Sequence, residues 1–174
     1  AKAIVWTHRR YEQKNNPPKI ILVGHSAGAH IAALLALDNQ YLKRAGLSTK
    51  IIGGWVSLAG PHAFNPLETK STQPIFNNFA TNIKQTKPIT FARSNAPPGL
   101  LLHGKKDTVV YEKNSTLLAN AIKNKRGHVI LKAVEDVGHI EILLSVTGNT
   151  LFNKDVKHEI FAFISNLDNT VRID

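Results

Sequence analysis

Five residues, Gly24-His25-Ser26-Ala27-Gly28, constrain the fold of this chain more than any others. They match G-x-S-x-G. They stand between residues 19–24 (KIILVG), a nearly unbroken apolar run, and residues 27–37, rich in alanine and leucine. The first run reads as a short strand buried on both faces, the second as a helix. A serine at such a strand-to-helix turn takes backbone dihedrals that side chains disfavour. Glycines are expected on either side because a Cβ at Gly24 or Gly28 would collide with the neighbouring strand or helix. The turn lifts the Ser26 hydroxyl clear of the sheet. It also aims the backbone N–H of Ala27 at the place where an oxyanion forms.

The rest of the chain alternates in the same way. Residues 1–14 read as a helix ending at the turn cluster Asn15-Asn16-Pro17-Pro18. Residues 51–59, 100–103 and 128–134 read as further strands. Residues 111–124 and 154–167 read as helices, the last with an apolar stripe of Val156, Ile160, Phe161, Phe163, Ile164 and Leu167. Residues 60–96 differ, being rich in Pro, Asn, Thr and Gln with scattered phenylalanines; they read as an irregular insertion with one or two short helices. Strands alternating with helices predict a parallel sheet covered on both faces, in a single α/β domain over residues 1–174.

A hydroxyl alone is a poor nucleophile. It needs a base to take its proton and an acid to orient that base. Behind a turn of this kind the chain order is serine, acid, histidine. Asp107 follows the third strand (LLLHGKKD) and His139 follows the fourth (VEDVGH), so all three fall at carboxyl ends of strands, along one edge of the sheet. Asp136 competes with Asp107, but three residues along one loop is a poor spacing for reaching the imidazole. Among the eight histidines, His25 packs beside the turn or lines the pocket. His62, which follows Gly60-Pro61, and Phe64 are candidate substrate contacts at the mouth of the insertion, and Phe79 is a further pocket candidate. His30 and His103 read as structural. Asp38 reads as a solvated helix end.

The segments GHSAGAH, SLAGPHAF, APPGLLLHGKKDTVV and VGHIEILL resemble the carboxylesterase branch of the α/β-hydrolase superfamily, near its feruloyl-esterase-like and kynurenine-formamidase-like members. The resemblance runs over essentially the whole chain. It implies an α/β-hydrolase fold, a three-layer sandwich around a mainly parallel sheet. It implies Ser26 as nucleophile, Asp107 as acid, His139 as base and Ala27 as oxyanion donor. The activity implied is hydrolysis of small carboxylic esters without cofactor or metal. The same machinery would serve an arylformamidase, and a non-catalytic hydrolase-like module is the alternative from another class. The branch also carries a His-Gly-Gly oxyanion loop after an early strand, which is not in these 174 residues. With no methionine and an opening that reads as mid-helix, the expectation is a truncated chain, lacking the N-terminal strands and weakly active or inactive alone.

Composition removes other classes. The absence of cysteine excludes a disulfide framework, a thiolate metal site and a cysteine nucleophile. No apolar run approaches the roughly 18 residues of a membrane-spanning helix. The formal charge of +10 could attract a polyanion. The basic residues, however, are scattered in pairs such as Lys105-Lys106 and Lys125-Arg126, without interleaved aromatics, so a solvated surface is expected rather than a nucleic-acid partner. Residues 99–105 imitate the start of a P-loop, but strand-like leucines fill its loop and Lys106 stands where a Mg²⁺-binding hydroxyl belongs. Asn114-Ser115-Thr116 matches a glycosylation acceptor. Oligomeric state and compartment are not legible in the sequence.

Overall fold

A computed structural model describes residues 1–12, 18–147 and 155–170. The end of the first predicted helix (13–14), the predicted turn cluster 15–18 except its last proline, and the predicted helix start at 154 lie outside these residues. The elements in chain order are α1 (Lys2–Tyr11), β1 (Ile20–His25), α2 (Ala27–Leu37), α3 (Asn39–Arg44), β2 (Ile52–Leu58), α4 (Gln73–Phe76), β3 (Gly99–Gly104), α5 (Lys113–Asn124), β4 (Val129–Val134), α6 (Glu141–Leu144) and α7 (Asp155–Thr170).

The strands form one parallel sheet in the order β1-β2-β3-β4. The central rows of partners cross the whole sheet. Val23 sits beside Val56, Val56 beside Leu100, and Leu100 beside Ile130. All four carboxyl ends therefore emerge along one edge.

Period-two alternation sorts the side chains to two faces. On one face Val56, Leu58, Leu100 and Leu102 pack with Ile142, Val156, Ile160 and Phe163 of α6 and α7. On the other, Trp55 and Leu101 pack with Ala33, Ala36 and Leu37 of α2 and Leu118, Ala119 and Ile122 of α5. This is the three-layer α/β sandwich that the alternation predicts. Trp55 is fully buried, and its indole N–H donates to the Pro97 carbonyl at 3.1 Å, so its polar atom costs nothing in desolvation.

The alanine-rich inner face of α2 explains how closely that helix lies on the sheet: Ala29, Ala33 and Ala36 are fully buried, while Ile31 on the outer face is 57% exposed. The outer end of α2 is closed by a residue from the insertion. Arg93 donates from Nε to the Leu37 carbonyl at 2.9 Å and from Nη2 to the Ala36 carbonyl at 3.0 Å, and its Nη1 holds the Asn95 side-chain oxygen at 2.8 Å. A guanidinium here satisfies orphan carbonyls and opposes the negative end of the helix dipole. Arg93→Ala is expected to lower stability by about 2 kcal/mol in urea denaturation, because charge-assisted bonds to partly buried carbonyls are lost. Arg93→Lys should recover only part of that, since an ammonium cannot fork between two carbonyls.

The structure departs from expectation at four places. Strand β1 is not buried on both faces: among the described residues it pairs on one side only, and Val23 is 53% exposed. Helices α3 and α6 were not anticipated. They are six and four residues long, too short to show a helical apolar period. Asp38 is not a solvated helix end. It is buried and caps α3, accepting the Gln40 backbone N–H at 3.0 Å. The stretch 60–96 holds α4 and 3-10 turns at Asn77–Thr86 and Pro88–Phe91.

Candidate active site

The turn between β1 and α2 carries Ser26 at φ 54°, ψ −120°. A non-glycine residue is strained in this region. The surroundings hold it there: the Ser26 N–H donates to the Leu58 carbonyl at 2.9 Å, and the Ser26 carbonyl accepts from His30 N–H at 3.1 Å. Gly24 is required sterically, since a Cβ on it would stand 2.2 Å from the Gly28 carbonyl oxygen. The same argument fails for Gly28, where a Cβ meets nothing within 4 Å, so the second half of the expected glycine clash is not present. Gly24→Ala is expected to cost about 3 kcal/mol, the upper end for overpacking, because both clashing groups are backbone. A urea midpoint and m-value indistinguishable from those of the unsubstituted protein would contradict this.

Two loops bring the other predicted residues to Ser26. Gly104 ends β3, and a Cβ there would stand 2.1 Å from the Val137 carbonyl oxygen. Its absence lets the loop after β4 lie against the loop after β3. Lys105 N–H then donates to the Val134 carbonyl and Lys106 N–H to the Val137 carbonyl, both at 2.9 Å. Asp107 and His139, 32 residues apart, meet across this seam. His139 Nδ1–H donates to Asp107 Oδ2 at 2.7 Å, and Ser26 Oγ–H donates to His139 Nε2 at 3.0 Å.

The other carboxylate oxygen, Asp107 Oδ1, accepts the backbone N–H groups of Val109 at 2.9 Å and Val110 at 2.8 Å. Burial acts to raise the Asp107 pKa. The hydrogen bonds from His139, Val110 and Val109, with the charge of His139, outweigh it and hold the carboxyl below its ordinary value. Asp107 is therefore an anion whose two oxygens are both engaged. His103 flanks it, with Nε2 at 3.4 Å from Oδ2. That imidazole donates from Nε2 to the Val110 carbonyl and pairs at Nδ1 with the Ser115 hydroxyl, both at 2.7 Å, so both ring nitrogens are engaged.

The remaining sequence candidates divide. Ala27 stands at the first position of α2, where a backbone N–H has no partner within its helix. His25 sits against His139, ring centroids 4.7 Å apart, and its Nε2–H donates to the His139 main-chain carbonyl at 2.8 Å. This bond crosses 114 residues, and no pattern in the sequence announces it.

His62 is not at a substrate-accessible mouth. It is fully buried, edge-on to Trp55, with Nε2 at 2.7 Å from the Ser57 hydroxyl. Its Nδ1 has no hydrogen-bond partner among the described residues. The reason is local: Gly60 has no side chain, so the imidazole folds back onto β2 instead of outward. Phe64 is half-buried and packs edge-on against His30 at 6.4 Å, and Phe79 is exposed beside Phe76.

Asp136 is exposed and paired with Lys106 at 2.7 Å, while the imidazole Nδ1–H goes to Asp107. Asn114 is buried, accepting from Ala63 N–H at 3.1 Å, which leaves its amide inaccessible to glycosylation. A cleft of about 300 Å³ beside His139 is lined by Lys106, Thr108, Val109, Asp136, Ile140 and Glu141. Among the described residues no group of three or more His, Asp or Glu could hold a metal ion, and no helix is long and apolar enough to cross a membrane.

This geometry has relatives. The chain is 27% identical over 140 residues to esterase LipQ of Mycobacterium tuberculosis, a match covering 71% of this chain and 33% of that protein. It thus spans about a third of the length of this curated relative. Among solved structures it resembles a thermophilic esterase from Thermogutta terrifontis, with TM-score 0.71 at 20% identity, covering 95% of this chain and 61% of the other. A truncated carbohydrate esterase from gut microbiota superposes equally well, with TM-score 0.71 at 19% identity over 96% of this chain and 66% of the other. At such identities the likeness speaks for the fold, which is that of the α/β-hydrolases. The BD-FAE family description matches residues 2–122, taking in the Ser26 turn and Asp107 and stopping short of His139. By that match, over most of its length, the chain belongs to the BD-FAE family.

Proposed function

We propose that this chain carries the reacting side chains of a serine hydrolase acting on small carboxylic esters, with Ser26 as nucleophile, His139 as general base and Asp107 as the acid that orients it. The observation carrying this reading is the unbroken hydrogen-bond path from Ser26 Oγ through both nitrogens of His139 to Asp107, at 3.0 and 2.7 Å. The curated relative named an esterase supports the ester as the bond cleaved.

The chemistry follows from the proton path. His139 Nε2 takes the Ser26 proton as Oγ attacks the ester carbonyl. The imidazolium so formed is stabilised by Asp107, whose hydrogen-bond donors keep it ionised when His139 becomes positive. The oxyanion that develops lies near the amino end of α2, where the Ala27 N–H can stabilise it. Collapse expels the alcohol, which leaves with the proton from His139. Water then attacks the acyl carbon with His139 again as base, releasing the acid and free Ser26.

A fluorophosphonate probe tests this directly on the full-length protein. Covalent labelling at Ser26, abolished by Ser26→Ala, is the expected result. Labelling that survives the substitution, or never occurs in the unsubstituted protein, overturns the reading.

A further inference from the structure

The loop that presents His139 is held carbonyl by carbonyl. The Val137 carbonyl accepts from Lys106 N–H at 2.9 Å. The Gly138 carbonyl accepts from Ile142 N–H at 3.3 Å, and the Ile140 carbonyl accepts from Leu143 and Leu144 at 3.0 and 3.1 Å. The carbonyl of His139 itself takes its proton from a side chain, His25 Nε2–H, at 2.8 Å. That donor is the residue next to Ser26. Nucleophile and base are thus tied together twice: once by the Ser26 Oγ to His139 Nε2 bond, and once through the backbone by His25.

These two ties behave differently during turnover. Acylation converts Ser26 Oγ to an ester oxygen, which has no proton to give, so the direct tie is broken. His139 must nevertheless stay where it can take a proton from water. The Asp107 bond orients the ring about Nδ1 but does not set how far the His139 backbone stands from Ser26. The His25 bond does, and nothing in the acylation step alters it.

Building on the esterase reading, we infer that His25 is a positioning residue whose Nε2–H, bonded to the His139 carbonyl, holds the general base in register while Ser26 is acylated, and that it acts chiefly on deacylation. In that step water oxygen bonds to the acyl carbon as its proton passes to His139 Nε2. The Ser26 Oγ–carbon bond then breaks, and Oγ recovers the proton from His139.

This predicts a particular kinetic signature. In a two-step acyl transfer, slowing deacylation lowers kcat and KM together and leaves kcat/KM unchanged, because kcat/KM reports acylation alone. His25→Leu, which keeps bulk and removes the donor, is expected to lower kcat on 4-nitrophenyl acetate about 10- to 100-fold, the scale of a displaced catalytic group. KM should fall by a similar factor. The burst of nitrophenolate should approach one equivalent per active site as acyl-enzyme accumulates.

His25→Gln places an amide N–H where the imidazole Nε2–H stood and should restore most of kcat. His25→Asn, one bond shorter, should not, and this pair tests the idea even if the leucine variant folds poorly. A fall in kcat/KM with KM unchanged or raised, or equal kcat in the glutamine and asparagine variants, overturns the inference. Fluorophosphonate labelling separates the two levels. Brisk labelling of His25→Leu with unaltered deacylation sinks the positioning role alone, whereas absent labelling of the unsubstituted protein sinks the underlying reading.

Discussion

Ser26→Ala is expected to lower ester turnover on the order of 10⁶-fold while leaving the fold intact. In the proposed reaction the side-chain oxygen is the atom that bonds to the acyl carbon, and alanine offers no oxygen in its place. What survives comes from substrate binding and from the donors around the oxyanion, which act whether or not a serine is present. His139→Ala should cost nearly as much, and adding it to Ser26→Ala should cost almost nothing more, because the two act as one unit. Asp107→Asn should cost about 10⁴-fold, since an amide can steer the imidazole into the wrong tautomer. Steady-state rates on 4-nitrophenyl acetate for the three single variants and the double variant check this. Multiplicative losses in the double variant would mean that the residues do not act together.

The same position gives a stability control. Alanine at φ 54° is as strained as serine, so Ser26→Ala should unfold at nearly the same urea concentration. Ser26→Gly should be more stable by about 1 kcal/mol, because glycine takes positive φ without a Cβ clash. The position of the proposed nucleophile would then be one where stability is given up for function.

Acid is expected to destabilise the protein well before its carboxylates protonate, and His62 is the main cause. Burial, reinforced by the nearby His30 and His103, pushes its pKa down from 6.5 to about 3. In the unfolded chain His62 takes a proton near pH 6.5; in the folded protein it does not until about pH 3. The unfolded state therefore binds more protons throughout that window. Stability contributed by the neutral, buried ring is present above pH 6.5 and is lost as the pH falls towards 3, at about 1.4 kcal/mol per pH unit. By pH 5 that amounts to about 2 kcal/mol.

His30 contributes with the same sign, lowered by burial and partly restored by hydrogen bonds to the Thr86 and Pro61 carbonyls. Asp107, also held below its ordinary value, adds its own loss only at lower pH, as its carboxylate begins to protonate. Urea denaturation from pH 7.5 to 4.5 measures the slope. His62→Gln preserves a donor towards Ser57 and removes the titration, so its slope between pH 6.5 and 5 should be flatter by most of the stated amount. An unchanged slope would mean that His62 is as easily protonated in the folded state as in the unfolded one.

Chain-local patterns made much of this molecule legible. The apolar run 19–24 followed by an alanine-rich helix marks a strand-turn-helix unit. Asp107 and His139 each follow a strand by a few residues, so a parallel sheet must deliver them to the same edge as Ser26. Where reasoning from sequence failed, the deciding partner was distant or the element too short. His62 and Phe64 were placed at a substrate mouth because insertions carry pockets; Ser57, Trp55 and His30 turn them to other uses. Asp38 looked like a frayed helix end because α3 is too brief to show a period.

Sequence alone determined the elements that exist, their alternation, and which hydroxyl, imidazole and carboxylate could act together, since backbone sterics and apolar period operate within a dozen residues. Tertiary structure alone decided how near those groups stand and which bystanders become parts of the device. Gly104 makes room for the His139 loop, and His25 ties that loop to the strand leading into Ser26. Such contacts depend on the separation and orientation of segments up to 114 residues apart, and a linear pattern carries no record of either.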